Sequence, residues 1–390
     1  MAAMLDRIGS VLGASMLGGV LLALAGIGSL YMLACAILVR RFFRPTAPAI
    51  APAEPVTLLK PLHGAEPRLA ENLASFLGGG AAQMLCGVAR ADDPAVAAVA
   101  QVRRAMPGAA IDLVVSPARH GANGKVANLV NMMPRAAYPI LILSDSDIVA
   151  GADYLPRVCA ALAAPGVGAV TCLYRGRGDA GFWSRLGAAG LSYQFLPGAL
   201  FGIVAGLARP CMGSTIALRR ETLDRIGGFA RFADVLADDH AIGAAVRAQG
   251  LTVAVPPMLV THASAERTAG ELWRHELRWA ATVRGLAPAG YAGSLIGFPL
   301  PLAMLGAALA PGPAALATVL AALVARIAVV MAVDRAAGAA TATPLLLPLR
   351  DAFGLAIFIA SFFARSIDWR GDRLRMMPNG RISADPEIPR

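Results

Sequence analysis

From residue 11 to residue 39 the chain carries no charged side chain. A spanning helix needs only ~20 apolar residues, so this run predicts a membrane anchor over 1–44. It is too long for the apolar core of a secretory leader. Bulky residues follow it where a small-residue cleavage site would stand. Residues 45–55 are rich in Pro and Ala and predict a stiff linker.

Beyond the linker the pattern changes to short apolar runs separated by amphipathic ones. Strands are expected over 56–59, 83–88, 111–115, 141–143, 167–173, 213–219 and 251–255. Helices are expected over 66–77 (ended by Gly78-Gly79-Gly80), 95–105, from Asn123-Gly124-Lys125 to 133, and over 153–162, 222–226 and 241–249. Such alternation with short links predicts an α/β domain, a parallel sheet covered by helices, over 56–290. Residues 180–207 interrupt it. They are apolar and Gly-rich, with Arg185 the sole charge and Trp183, Tyr193 and Phe195 among small residues. Aromatic residues collect at membrane interfaces, so an interfacial segment is expected there. A helix over 271–284 carries His275, Arg278 and Trp279. His275-Glu276 begins like a zinc H-E-x-x-H motif, but Trp279 stands where the second His should be, so that reading fails.

Three apolar segments, 294–310, 314–333 and 344–364, predict membrane helices over 291–364. An ionisable residue in a span costs roughly 2.5–3.5 kcal/mol. A hairpin about 334–343 places Arg326 and Asp351 at one depth, so they are expected to pair. Three spans here would leave the tail 365–390 outside, yet its arginines argue for a cytoplasmic tail. The short segment 294–310, with Pro299 and Pro301, is therefore expected to be re-entrant or interfacial.

Composition strengthens the membrane reading. The 390 residues are 57% hydrophobic and the mean hydropathy is +0.60, too apolar for an ordinary soluble enzyme. Arg40, Arg41 and Arg44 follow the first span, and positive charge stays cytoplasmic. This predicts a multi-pass protein of the inner membrane whose catalytic domain faces the cytoplasm. The net charge of +10 fits a domain lying on anionic lipid. No nucleic acid is expected as partner, because no basic stripe interleaves with aromatics. Five scattered cysteines without a C-x-x-C pair predict reduced thiols. Lys60 and Lys125 are the only two lysines.

The chemistry centres on Ser144-Asp145-Ser146-Asp147-Ile148, where an apolar strand breaks into two carboxylates. Alternation puts both on one side at the strand's carboxyl end, where open α/β sheets bind ligands. Two readings are open: a solvated acidic turn, or a site for a divalent cation and a diphosphate. Asp92-Asp93 follows an earlier strand and Asp238-Asp239 opens a helix. His262 is a further candidate ligand, although a lone His after a strand is more often structural.

The ordered set resembles family 2-like glycosyltransferases of GT-A fold. More closely it resembles the ceramide glucosyltransferase family and its bacterial relatives, the hopanoid-biosynthesis glycosyltransferases. The segments are V-T-L-L-K-P-L-H-G at 56–64, A-D-D-P-A at 91–95, N-G-K-V-A-N-L at 123–129 and S-D-S-D-I at 144–148. G-S-T-I-A-L-R-R at 213–220, A-D-D-H at 237–240 and R-H-E-L-R-W at 274–279 complete the set. The resemblance implies Asp145 and Asp147 as ligands of Mg2+ or Mn2+. It implies Lys60, Pro61, Asp92, Asp93, Lys125 and Asp145 as donor-binding residues, with Asp93 the better match of its pair. Asp239 is the implied catalytic base, with Asp238 as fallback, and His275, Arg278 and Trp279 would serve the diphosphate and acceptor. The place three residues before Arg278 is Gln or Arg in that family and His275 here, as in the hopanoid type.

The implied reaction is inverting transfer from a UDP-sugar donor to a lipid hydroxyl in the bilayer. The hopanoid reading gives N-acetylglucosamine on bacteriohopanetetrol; the ceramide reading gives glucose on ceramide. A processive polysaccharide synthase fits the same carboxylates, but needs more spans than this chain offers. A catalytically silent scaffold is disfavoured because every carboxylate pair is intact.

Overall fold

The uncharged run lies within one 41-residue helix, α1 (Ala2–Phe42), in the computed structural model, which describes residues 2–44, 54–77, 82–364, 366–369, 372–376 and 382–384. The linker expected over 45–55 lies almost wholly outside the described residues, as does the Gly78-Gly79-Gly80 breaker.

The alternating region then builds as expected in outline. In order come β1 (Val56–Pro61), α2 (Leu69–Ala74), β2 (Ala82–Val88), α3 (Ala95–Ala105), β3 (Ala110–Val115), α4 (Gly124–Met132) and β4 (Ile140–Leu143). There follow β5 (Ile148–Val149), α5 (Tyr154–Leu162), β6 (Val167–Val170), β7 (Leu173–Gly178), α6 (Phe182–Gly190) and α7 (Leu196–Val204). Next are β8 (Ile216–Arg219), α8 (Arg220–Arg225), α9 (Asp238–Ala248), β9 (Thr252–Ala254), β10 (Leu259–Ser264) and α10 (Ala269–Leu286). Helix α2 is shorter than expected: Pro67 disfavours helix at Glu66 before it, and Arg68 adopts a left-handed φ of 56°.

Seven strands form the main sheet in the order β3-β2-β1-β4-β8-β6-β9. The strands β3 to β4 are parallel, but β8 runs antiparallel to both β4 and β6. The all-parallel expectation is thereby corrected: a fully apolar strand reads the same in either direction. Alternation divides the core. Leu58, Met84 and Ile142 pack under α2, α3 and α5, while Leu59, Leu85, Leu141 and Leu143 pack under α4, α8 and α9. Each fully buried leucine contributes about 1.5–3 kcal/mol.

The expected strand over 167–173 divides instead. After Val170 the chain leaves the main sheet, and β7 joins β5 and β10 in a separate three-stranded sheet, order β5-β10-β7. That small sheet was not expected.

Residues 180–207 form a nearly continuous helical run, Phe182–Val204, with a π-helical turn at Leu191–Phe195. By length and composition it could cross a membrane, beyond the interfacial segment expected. Its first half lies directly on β7. A Cβ on Gly176 would sit 2.4 Å from the Ala188 backbone, and one on Gly178 would sit 2.6 Å from that of Arg185. Its second half meets α1, where Tyr31 and Phe201 rings are 4.8 Å apart.

The carboxyl-terminal region holds α11 (Pro288–Gly293), α12 (Pro299–Leu309), α13 (Pro313–Ala337) and α14 (Leu347–Ser361). The expected re-entrant segment is bent: Pro288–Gly297 and Pro299–Leu309 meet at 67°. Among the described residues four helices are long and apolar enough to span, or five if the bent pair is one span. Arg326 and Asp351 pair through both carboxylate oxygens at 2.7 Å, as their shared depth requires, and both are fully buried. Beyond α14, β11 (Ser366–Trp369), β12 (Asp372–Met376) and β13 (Ile382–Ala384) form an antiparallel sheet. The rest of the expected basic tail lies outside the described residues.

Candidate active site

Strand β4 is buried along its length and ends at Leu143, delivering Ser144–Asp147 to the sheet's carboxyl edge. The turn is held from beneath. The Lys60 ammonium, at the end of β1, donates to Ser144 Oγ at 2.9 Å and to the Asp145 carbonyl at 3.1 Å, and lies 3.4 Å from the Phe76 ring centroid. Burial lowers its pKa to about 7, against the pull of Asp145 and Asp147. Lys60 and Pro61 are both buried, so Lys60 meets the turn's underside rather than open space.

Lys125 occupies the first turn of α4. Its Nζ lies 2.6 Å from Asp145 Oδ1 and 3.5 Å from Asp238 Oδ2. Burial opposes its charge, but Asp145, Asp238 and Asp239 outweigh burial and raise its pKa. The meeting of α4 with α9 follows from Asn123. As N-cap of α4 it accepts from Val126 N at 3.1 Å, and its amide donates to Val235 O at 2.8 Å and Asp238 Oδ1 at 3.3 Å. Burial, then the neighbouring Asp239, hold Asp238 above the usual carboxylate range.

Gly213 joins the two halves. Its carbonyl accepts from Asp145 N at 3.1 Å, and its N–H donates to Asp239 Oδ2 at 3.0 Å. A Cβ there would sit 2.5 Å from Asp145 Oδ2 and 2.9 Å from Lys125 Nζ. Only glycine leaves room for that ion pair. The other oxygen of Asp239 accepts from His240 N at 2.7 Å.

Asp147 faces the small sheet. Its Oδ2 lies 3.2 Å from His262 Nε2 on β10, while its Oδ1 is buried with no hydrogen-bond partner among the described residues. Burial would raise the Asp147 pKa, but His262 pulls it down to about 2, and the carboxylate in turn lifts His262 to about 9. Above His262 stands α10. The Trp279 ring centroid is 5.7 Å from that of His262 and 4.3 Å from that of His275, and Glu266 bonds His275 Nδ1. Half-buried Arg278 lies on the same helix. Arg350 of α14 grips Glu276 through both oxygens, at 2.5 and 2.7 Å, and ties α10 to the membrane helices.

The early acidic pair splits. Asp93 Oδ1 accepts from Gly64 N and Ala95 N, both at 2.9 Å, and ties the loops after β1 and β2 together. Asp92 is exposed and paired with Arg90.

Thus Asp145, Asp147, Lys125, Asp238 and Asp239 come together, with His275 and Trp279 reached through His262. Asp92 stands apart in solvent. Sequence reasoning missed Gly213, Asn123 and Glu266 as site residues. Gly213 and Asn123 lay inside quoted motifs; Glu266 carried no signal.

For a divalent cation the test is the donor set. No group of three or more His, Cys, Asp or Glu side chains converges for a metal among the described residues. Two neighbouring carboxylates, Asp145 and Asp147, do feel each other's charge, and Asp147 keeps a buried oxygen with no hydrogen-bond partner among the described residues. That fits a hard cation of the Mg2+ type, which takes one or two carboxylates and completes its shell with water and substrate phosphate.

Comparison with known proteins follows the same lines. The family described as Glycosyl transferase family 21 matches residues 20–382. Ceramide glucosyltransferase 1 of Caenorhabditis elegans is 24% identical over 231 residues, 57% of this chain and 48% of that protein. Ceramide glucosyltransferase 3 of the same organism is 26% identical over 207 residues, 51% and 44% respectively. The chain spans about half the length of the curated relatives it matches. Among solved structures, the mannosyltransferase PcManGT from Pyrobaculum calidifontis in complex with GDP-Man and Mn2+ superposes with a TM-score of 0.51. It is 22% identical, over 89% of this chain and 99% of that one, and places the α/β domain in the GT-A fold.

Proposed function

The chain belongs to glycosyl transferase family 21, and on that premise we propose that it is a membrane-bound inverting glycosyltransferase. Its donor is a UDP-sugar, UDP-N-acetylglucosamine, and its acceptor is a hydroxyl of a hopanoid such as bacteriohopanetetrol. One observation carries the reading: Asp145 and Asp239 are joined through the two hydrogen bonds of Gly213. A leaving-group site and a base therefore share one rigid frame.

In this mechanism the acceptor oxygen bonds to the anomeric carbon as the bond from that carbon to the diphosphate oxygen breaks. Asp239 takes the hydroxyl proton, and UDP leaves with the bonding pair. A base acts only within hydrogen-bond reach of the proton it removes, and half-buried Asp239 stands at the opening of α9 for that role. Asp238, more deeply buried beside Lys125, is the fallback. Asp145 and Asp147 would hold Mg2+ or Mn2+, which offsets the charge of the leaving diphosphate. Lys125 adds fixed positive charge at the same edge. Asp93, with Asp92 beside it, flanks the uracil–ribose end. Arg278 suits bidentate phosphate recognition, and Trp279, buttressed by His275, walls the acceptor side. Lys60 acts from beneath, by holding the turn, and Pro61 ends β1 beside it.

The kinship with ceramide glucosyltransferases favours a second reading, glucose from UDP-glucose onto ceramide. In both readings the domain faces the cytoplasm of the inner membrane, supported by Arg40 and Arg41 in the last turn of α1. The test is an assay of purified protein with a panel of UDP-sugars and with hopanoid and ceramide acceptors. Transfer of N-acetylglucosamine to the hopanoid is expected, and chelation of divalent cations stops it. Polymer formation without transfer to either lipid would overturn the proposal.

A further inference from the structure

A cavity of about 480 Å3 opens where the domain meets the ends of α1 and α13. Ligand pockets run roughly 300–1,000 Å3, so it is large enough for a lipid headgroup. It lies across the small sheet from the candidate active site. Thr261 lines the cavity, whereas His262, the next residue of β10, turns to Asp147; alternation puts the two on opposite faces.

Its lining is amphiphilic. Phe43, Met258 and Ala336 give it apolar walls, and Arg44, Arg157 and Arg175 bring three positive charges against the single carboxylate of Asp153. Arg157 is already committed, to Asp153 Oδ2 at 3.0 Å and to Pro257 O at 2.9 Å. Half-buried Arg175 has no hydrogen-bond or ion-pair partner among the described residues. Arg44 is exposed at the end of α1. Arg175 feels the charge of Asp334 but bonds to no side chain among those residues, which leaves its N–H donors open to an anion. A planar fork of N–H donors matches phosphate in particular.

We infer that this cavity binds the phosphate group of an anionic phospholipid, as a site separate from the one that carries out transfer. The end of α1 and the end of α13 both border it, so a headgroup there would have acyl chains beside two apolar helices. A neutral polyhydroxylated or ceramide acceptor has no charge to match these arginines, so the ligand is chemically distinct from the acceptor. The shared chemistry is a phosphate whose negative charge no neighbouring cation cancels, on a lipid or free; the choline of phosphatidylcholine cancels its own.

The full chain, stripped of lipid in non-ionic detergent, is titrated calorimetrically with short-chain phosphatidylglycerol, short-chain phosphatidylcholine and inorganic phosphate. Phosphatidylglycerol is expected to bind at least tenfold tighter than phosphatidylcholine, as roughly fivefold per arginine contact implies. R44Q and R175Q each weaken it by about fivefold. R175K keeps the charge but loses the fork and recovers only part of the binding, while R225Q, an exposed residue of α8, changes nothing. Inorganic phosphate binding as tightly as phosphatidylglycerol would support the site and make its source a free anion. Three results overturn the inference: equal affinity for the two lipids, unchanged affinity in R44Q and R175Q proteins of normal melting temperature, or displacement of the lipid by UDP.

Discussion

Two ion pairs, one fully buried in the membrane region and one half-buried in the domain, differ in what they leave over. In the membrane region Arg326 donates to both oxygens of Asp351 and to the Tyr193 carbonyl at 2.6 Å, and neither side chain is exposed. In the domain Lys125 is shared between Asp145 and Asp238, and beside it Asp147 keeps an oxygen with no hydrogen-bond partner. The first pair is saturated and offers nothing to a ligand. The second is surrounded by more carboxylate than it can neutralise, and that surplus is where the proposed cation would be held. Saturation marks structure; the unsaturated remainder marks chemistry.

The contrast breaks most visibly at Asp239. Asp239→Asn is expected to lower transfer by about 10²–10⁴ and to leave UDP-sugar binding intact by calorimetry. Loss of binding as well would move Asp239 out of the base role and into the donor site. Next in size comes the saturated pair. Asp351→Asn strands Arg326 in an apolar setting and should cost about 3–5 kcal/mol of stability. Exchanging the two residues should recover part of the lost melting temperature, and no recovery would show that the pairing itself is not what matters there. Gly213→Ala forces a methyl into the Lys125–Asp145 contact, an overpacking worth about 1–3 kcal/mol. Transfer should fall more than the melting temperature does; the reverse would make Gly213 merely structural. Smallest is the early acidic pair. Asp93→Ala removes an acceptor shared by two backbone N–H groups and should cost about 1 kcal/mol, like a lost cap. Asp92→Ala should leave the melting temperature unchanged, and a fall equal to that of Asp93→Ala would erase the distinction between the two.

Much of this was legible in the pattern of residues. The apolar run of β4 breaking into Asp145-Ser146-Asp147 fixed both the strand and the edge it serves, because burial and alternation are local properties. The pairing of Arg326 with Asp351 followed from depth alone, since a lone charge in that setting has no cheaper outcome. The small sheet was not legible. Ile148–Val149 is too short to show a period, and β10 hides His262 in a mixed run. The antiparallel direction of β8 was illegible for a different reason: Ile216–Leu218 is apolar throughout, and direction is decided by which neighbours remain unpaired. The role of Gly213 also escaped, because the need for a missing Cβ is visible only once Asp145 and Lys125 have been brought around it.

The glycines of β7 have a mechanical consequence. With no side chain at Gly176 or Gly178, α6 rests on the strand backbone itself, so the joint between the domain and the helices behind it works as a weld and not as a hinge. A weld transmits position without slack. The height of the small sheet over α6 is then set by the thickness of two backbones, with no layer of side chains between them to give.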